Sequence, residues 1–276
     1  MSGLTDSQIA SYRDDGFLII GDIIPLRLIK RLYDTTTHLF AKYDTSWEPL
    51  EEGHAPWHNP AFHRKMIQLR QDAPLEFGAL YDSVQTSIAL EQLTCHEAIT
   101  NAAATLLNQE AIGLSATGFM LRMDAPHDTR NRLDWHQESS YYTQNLCSDH
   151  GLVAWIPLQT LSHEHGPICV CPQSHAGGKL QIDSSSKGDY GESQQYIVPA
   201  EHIARYETTA VLAQPGDAVL FHMDLFHKSG HNGSNEIRFT AGVRYHSMLT
   251  DDFVPGRFRY VENPTVREHL LQGAST

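Results

Sequence analysis

At Asn108 the chain changes rhythm, and that change limits the folds open to it. Before Asn108, apolar residues recur at helical spacing. Leu26, Ile29, Leu32, Tyr33 and Leu39 make one stripe, Leu75, Leu80, Tyr81, Val84 and Ile88 a second, and Ile99, Ala102, Ala103, Leu106 and Leu107 a third. After it, short apolar runs separated by Gly, Pro, Asn and Asp recur at 117–123, 133–136, 152–158, 167–171, 195–199, 208–213, 217–222, 226–229 and 237–246. Helices come first and strands second, which predicts a mainly β fold with N-terminal helices: a double-sheet jelly roll or barrel whose helices pack on one sheet and leave the other side free for a site. There is no internal repeat and no Gly-, Ser- or Pro-rich linker. We therefore read residues 1–276 as a single domain, with 1–110 mostly helical, 111–250 the jelly-roll core and 251–276 a C-terminal extension.

Local signals refine this outline. Thr5-Asp6-Ser7-Gln8 has the form of a capping box, so a helix is expected through Ile9, Tyr12 and Arg13, with Gly16 placed to stop it. Phe17–Ile20 reads as a short buried strand, and Pro25 opens the next helix. From Asp44 to about Pro74, with Trp47, Trp57 and His58 among several prolines, the pattern reads as an irregular segment fit for a lid or substrate wall. Pro74 to Leu107 reads as helix again, and Ser184–Gly191 as a polar insertion between strands.

Charge narrows the function classes. The formal net charge of −13 argues against a nucleic-acid or anionic-membrane binder, since both need clustered Lys and Arg. No apolar run approaches the roughly 20 residues of a membrane span, and the N-terminus has no basic, apolar leader; a cytoplasmic location is the default expectation. Four irregularly spaced cysteines do not form a disulfide framework. Cys169-Val170-Cys171 reads as two small buried side chains on a strand, with no second pair to complete a zinc site.

Chemistry concentrates in two stretches. In Asp134-Trp135-His136-Gln137-Glu138, an imidazole and a carboxylate lie two residues apart, hence on one face of an extended strand. Such a pair can grip one metal ion, but with 17 His and 33 acidic residues in the chain the spacing alone is weak. The second stretch, Phe221 to Asn232, offers His222, His227 and His231. His227 follows the apolar Leu225-Phe226 and is favoured; His222 competes, and His231 lies in a turn-like stretch. Two His and one carboxylate on one face, with open positions opposite, make the facial triad of non-haem Fe(II) oxygenases.

Arg238 follows His227 by eleven residues, across the turn-forming 230–235 segment, and stands between Ile237 and Phe239 on an expected antiparallel strand. A buried guanidinium needs an anion. Either a dicarboxylate cosubstrate supplies it, with Ser229 joining from the face of His227, or a structural Asp or Glu does.

Taken in order, His136-Gln137-Glu138, the strand Val153–Leu158, Gly166-Pro167 leading to Pro172-Gln173-Ser174-His175, and His227-x-Ser229 followed by Arg238 resemble the phytanoyl-CoA dioxygenase (PhyH) family. The opening Leu4-Thr5-x-x-Gln8-Ile9 through Gly16-Phe17 is also similar to that family's first helix and strand. The resemblance implies a double-stranded β-helix (jelly roll, cupin-like) core and an oxidoreductase: an Fe(II)- and 2-oxoglutarate-dependent dioxygenase. Such an enzyme uses O2 to hydroxylate a small molecule and releases succinate and CO2. It implies His136, Glu138 and His227 as catalytic iron ligands, Arg238 and Ser229 at the distal carboxylate of 2-oxoglutarate, Trp155 lining that pocket and Arg122 near the cosubstrate. Two positions depart from the pattern. Glu138 stands where the family has Asp; its carboxylate argues against halogenation, whose enzymes carry a small residue there. Gln173 replaces the Gly of Pro-Gly-Ser-His, which bears on turn shape.

Candidates for the substrate side are Tyr141, Tyr142, Trp57, His58 and Arg244, with Tyr245, His246, Arg257 and Arg259 further along. Several Arg there would suit a small anionic substrate. Two other classes compete: a non-redox zinc enzyme on a cupin-like barrel, which leaves Arg238 unexplained, and a small-ligand-binding protein, which would be expected to have lost a metal ligand.

Overall fold

The computed structural model describes residues 3–47, 57, 59–183 and 195–254. Helix α1 (Asp6–Asp15) begins on the expected capping box. The Thr5 hydroxyl accepts from the Gln8 amide at 3.3 Å, and the Thr5 amide donates to the Gln8 side chain at 2.9 Å. Gly16 ends it at φ +80°, where a Cβ would also collide with the His175 ring, so both backbone and space require glycine. Strand β1 (Phe17–Ile20) and helix α2 (Leu26–Phe40) follow, the latter with Pro25 at its N-cap.

Next come α3 (Pro60–Asp72), α4 (Pro74–Gln85), α5 (Ile88–Thr94) and α6 (Glu97–Leu106). Two expectations are corrected here. The irregular stretch from 44 to 74 contains a helix: Asn59 caps it by accepting from the Ala61 and Phe62 amides, Pro60 occupies its first turn, and Phe62, Met66 and Leu69 are buried at helical spacing. The 74–107 helix is three helices, because Ser87 and His96 each start a new one with a side-chain cap.

Strands β2 (Leu114–Asp124), β3 (Gly151–Pro157), β6 (Ala218–His222) and β8 (Arg238–Ser247) join β1 in a five-stranded antiparallel sheet of order β1-β6-β3-β8-β2. A smaller antiparallel sheet orders β5 (Thr209–Ala210), β4 (Cys169–Val170) and β7 (His227–Lys228) as β5-β4-β7. Of the expected strands, 133–136 is reduced to a single bridge at His136, and 195–199 has no ladder partner but leads into the short helix α7 (Ala200–Ile203).

Alternation along the large sheet separates two environments. Leu121, Leu152, Ala154, Ile156, Leu220, Phe239, Ala241, Val243 and Tyr245 turn to the helices and join one core with Tyr33, Phe62 and Leu90. Phe62 stacks on Phe239 with centroids 5.8 Å apart. Val153, Val219 and Phe221 turn the other way and pack with Val170 of the small sheet and with Ile168 just before it. The helices thus cover one face, and a cavity opens on the other. No helix among the described residues is long and apolar enough to cross a membrane.

Candidate metal and cosubstrate site

His136 and His227 meet through the main chain before their side chains are considered. Each donates its amide to the other's carbonyl, at 3.0 and 3.1 Å, an isolated antiparallel bridge between residues 91 positions apart. Their rings lie 4.0 Å apart by centroid. Gln137 points away, fully buried, donating to the carbonyls of Gly178 and Asp224 and accepting from the Leu180 amide. That pinning turns residues 136 and 138 to the cavity. Glu138 itself opens a 3-10 turn, Glu138–Ser140, rather than continuing a strand.

One ligand atom from each of His136, Glu138 and His227 falls within 4.8 Å of the others, and all three residues are buried. Glu138 Oε2 is 3.2 Å from His227 Nε2 and 3.6 Å from His136 Nε2. Ligand atoms about 2.1 Å from one ion in neighbouring positions sit about 3 Å apart, so the spacing is that of a coordination shell. The tautomers agree. His136 Nδ1 is 2.7 Å from the Asp134 carbonyl and His227 Nδ1 2.9 Å from the Leu225 carbonyl, so each Nδ1 carries the proton. Both Nε2 lone pairs then converge with a carboxylate lone pair, an arrangement that a cation satisfies. Burial, and after it the neighbouring His136, holds His227 below the ordinary imidazole range, in its neutral ligand form. Burial alone would push the Glu138 carboxyl up, but Arg244, His136 and His227 together outweigh it and keep Glu138 well below the usual carboxylate range.

The rival histidines lie elsewhere. His222 Nε2 pairs with Asp149 at 2.9 Å, and the exposed His231 faces His127 at 3.1 Å.

Arg122, Trp155, Ser229, Arg238 and Arg244 line the same cavity as the three ligand residues. Arg238 also has the internal anion considered as the alternative: it bonds Asp124 at 2.7 Å and donates to the carbonyls of Gly166 and Gly230. Asp124 stands directly opposite Arg238 on β2, and Arg122, two residues earlier on the same face, bonds it at 3.2 Å and Ser229 Oγ at 2.9 Å. Asp124 was missed in the sequence, although Arg122-x-Asp124 has the spacing of one strand face. Lys228, missed because alternation would turn it away from His227, also lines the cavity and stands 4.8 Å over the Trp135 ring.

On the substrate side, Tyr141 stands edge-on to His136 at 5.6 Å, and Tyr142 lies under Arg244 at 4.5 Å. Trp57 is a correction: it packs in the helical core 5.6 Å from Tyr33 and is not among the cavity-lining residues, because its indole fills the space between α2 and α3. Tyr245 likewise faces the helices. His58, Arg257, Arg259 and the 184–191 insertion lie outside the described residues.

The sequence profile of the phytanoyl-CoA dioxygenase (PhyH) family matches residues 12–240. The chain belongs to this family. Its members are Fe(II)- and 2-oxoglutarate-dependent oxygenases, so the PhyH assignment and the metal-ready triad concern the same chemistry. Several solved structures share the PhyH-like arrangement of antiparallel sheets with helices. One is the epimerase SnoN in complex with Fe3+, alpha ketoglutarate and nogalamycin RO: 18% identity, TM-score 0.58, 88% of this chain and 83% of that one. Another is EctD from S. alaskensis with 2-oxoglutarate and 5-hydroxyectoine: 17% identity, TM-score 0.56, covering 88% and 76%. A third is the non-heme monooxygenase ThoJ: 16% identity, TM-score 0.58, covering 97% and 94%. At these identities the likeness concerns the fold. Compared with curated proteins, the sequence finds no match.

Proposed function

We propose that this protein is an Fe(II)- and 2-oxoglutarate-dependent oxygenase that hydroxylates a small, anionic molecule in the cavity between its two sheets, on a double-stranded β-helix core formed as one domain. The observation that carries the reading is the convergence of two imidazole lone pairs and one carboxylate oxygen beside a cavity with arginines along its β8 edge. His136, Glu138 and His227 hold the iron. With iron bound, the ion supplies the oxygen activation that couples decarboxylation of 2-oxoglutarate, to succinate and CO2, to oxidation of the substrate.

The chain's own residues bind and orient. Arg122 and Arg238 share Asp124, so the trio keeps one net positive charge where the distal carboxylate of 2-oxoglutarate would lie. Ser229, already taking a hydrogen bond from Arg122, is placed to add its hydroxyl, and Trp155 walls the pocket. Fixing that end gives the ketoacid one orientation. Arg122, Lys228, Arg238 and Arg244 outnumber Asp124 and Glu138, so the site is cationic, which supports an anionic substrate; SnoN and EctD, with small molecules in their complexes, support small-molecule scale. Tyr141, beside His136, and Tyr142, beneath Arg244, are the aromatic residues assigned to the substrate side.

The test is succinate release from 2-oxoglutarate under air with added Fe(II), across a panel of small anions. His136→Ala and His227→Ala abolish turnover and metal binding, whereas His231→Ala keeps most of both. Arg238→Ala raises the 2-oxoglutarate requirement by roughly 10–100-fold with iron binding little changed, the loss expected for one charge-assisted contact. A dead His231 variant, or full turnover in His227→Ala, would overturn the assignment.

A further inference from the structure

Arg244 does something the sequence reading did not give it. Its Nε donates to Glu138 Oε1 at 2.6 Å, and a terminal nitrogen bonds the same oxygen. The other oxygen, Oε2, is the one facing the two histidines. The guanidinium is held from two further sides: it donates to the Gly118 carbonyl at 2.9 Å and lies over the Tyr142 ring. Gly118 sits in the register break between Thr117 and Met120 of β2, at φ +62°, and a Cβ there would come within 2.7 Å of the Tyr142 hydroxyl. That bulge is what frees a strand carbonyl to meet Arg244. Both partners are nearly closed off, with side chains 8% and 3% exposed.

A carboxylate can take a metal ion with one oxygen or with both. Glutamate's extra methylene gives it the reach and the freedom to do either. We propose that Arg244 is the positioning residue that commits Glu138 to one-oxygen coordination: it occupies Oε1, leaves only Oε2 for the ion, and so keeps a metal position open that a two-oxygen Glu138 would block. This rests on the iron reading above and assigns Arg244 to the metal carboxylate rather than to substrate. Three protein donors would leave room at the ion for the ketoacid and O2; a fourth protein oxygen would compete with them.

The experiment uses the full chain loaded with Co(II), followed by visible absorption, and then titrated with 2-oxoglutarate. Arg244→Met keeps the bulk over Tyr142 and removes the donors. It should still bind one Co(II), but with a spectrum altered before any 2-oxoglutarate is added, and with ketoacid affinity reduced on the order of tenfold or more. Arg244→Lys, which keeps one donor for Oε1, should restore the wild-type spectrum and most of the affinity. Superimposable spectra and equal 2-oxoglutarate affinities for wild type and Arg244→Met would overturn the proposal. Should Arg244→Met not fold, the smaller Arg244→Leu decides: it too removes every donor to Oε1, so the same altered Co(II) spectrum and on the order of tenfold weaker 2-oxoglutarate binding are expected. A wild-type-like spectrum and affinity in Arg244→Leu would overturn it. Failure of the wild type to bind Co(II), or undiminished binding by His227→Ala, would sink the iron reading itself, and neither observation involves Arg244.

Discussion

Asp124 and His246 show two ways of burying an ionisable side chain on one face of one sheet. Burial would raise the Asp124 carboxyl, but Arg122 and Arg238 together hold it below its ordinary value, so it stays an anion between two cations. His246 follows Arg244 by two positions on β8. Its ring is 1% exposed, and neither nitrogen has a hydrogen-bond partner among the described residues. Burial, and then the charge of Arg244, pushes it down to about 4. A histidine whose folded value is depressed takes up its proton more readily in the unfolded chain, so its contribution runs against stability in acid. Stability is complete above the unfolded value near 6.5 and falls as the pH drops from there toward about 4. The full shift corresponds to on the order of 3 kcal/mol. His246→Phe should shrink that limb: the gap between urea midpoints at pH 5 and pH 7 should be smaller in the variant than in the wild type, the remainder coming from the other depressed histidines, His63, His175 and His227. An unchanged pH dependence would count against burial of an uncharged ring.

At the scale of elements, the turn after β4 carries a removable strain. Gln173 adopts φ +68°, in the left-handed region, where the related family turn carries glycine. Its amide still donates to the Asp15 carbonyl at 2.9 Å, so the turn forms despite the side chain. Gln173→Gly should raise stability by about 1 kcal/mol, the ordinary left-handed penalty less the added freedom of the unfolded chain. Denaturant unfolding measures it, and a destabilised variant would mean that the Gln173 side chain does more than tolerate the turn. Elements were legible where local chemistry dominates: the Thr5 box, the Gly16 stop and the runs that became β2, β3, β6 and β8. They were obscured where signals overlap. Proline, histidine and tryptophan around 47–60 hid α3, although Asn59-Pro60 is itself a start signal. The 195–199 run looks like a strand because it is a short apolar run, and Val198 is buried, but no strand among the described residues pairs with it; the Val198 amide bonds the Trp135 carbonyl instead.

Across the whole molecule, the candidate ligands and the cosubstrate residues come from different sheets. His227 belongs to the small sheet and is bridged to His136, whereas Arg122, Trp155 and Arg238 belong to the large one. An ion and a ketoacid bound together would tie the two layers, and any ligand that binds only the folded state stabilises it. At a hundredfold excess over the dissociation constant the gain is about 2.7 kcal/mol, or about 5–10 °C in a chain of this size. Thermal scans should show that rise on adding Fe(II) anaerobically, a further rise with 2-oxoglutarate, and neither in His227→Ala. The sequence order of the candidate ligands was legible because each sits in a short motif. Asp124, which pairs with Arg122 and Arg238, and Gly118, which accepts from Arg244, were not, since cross-strand neighbours appear only once the register is known. The mutual amide–carbonyl exchange between His136 and His227 has a wider consequence. The spacing of the cage is set by main-chain atoms that are the same whatever side chains they bear. Such a frame would hold residues 136 and 227 at one distance whatever groups they display.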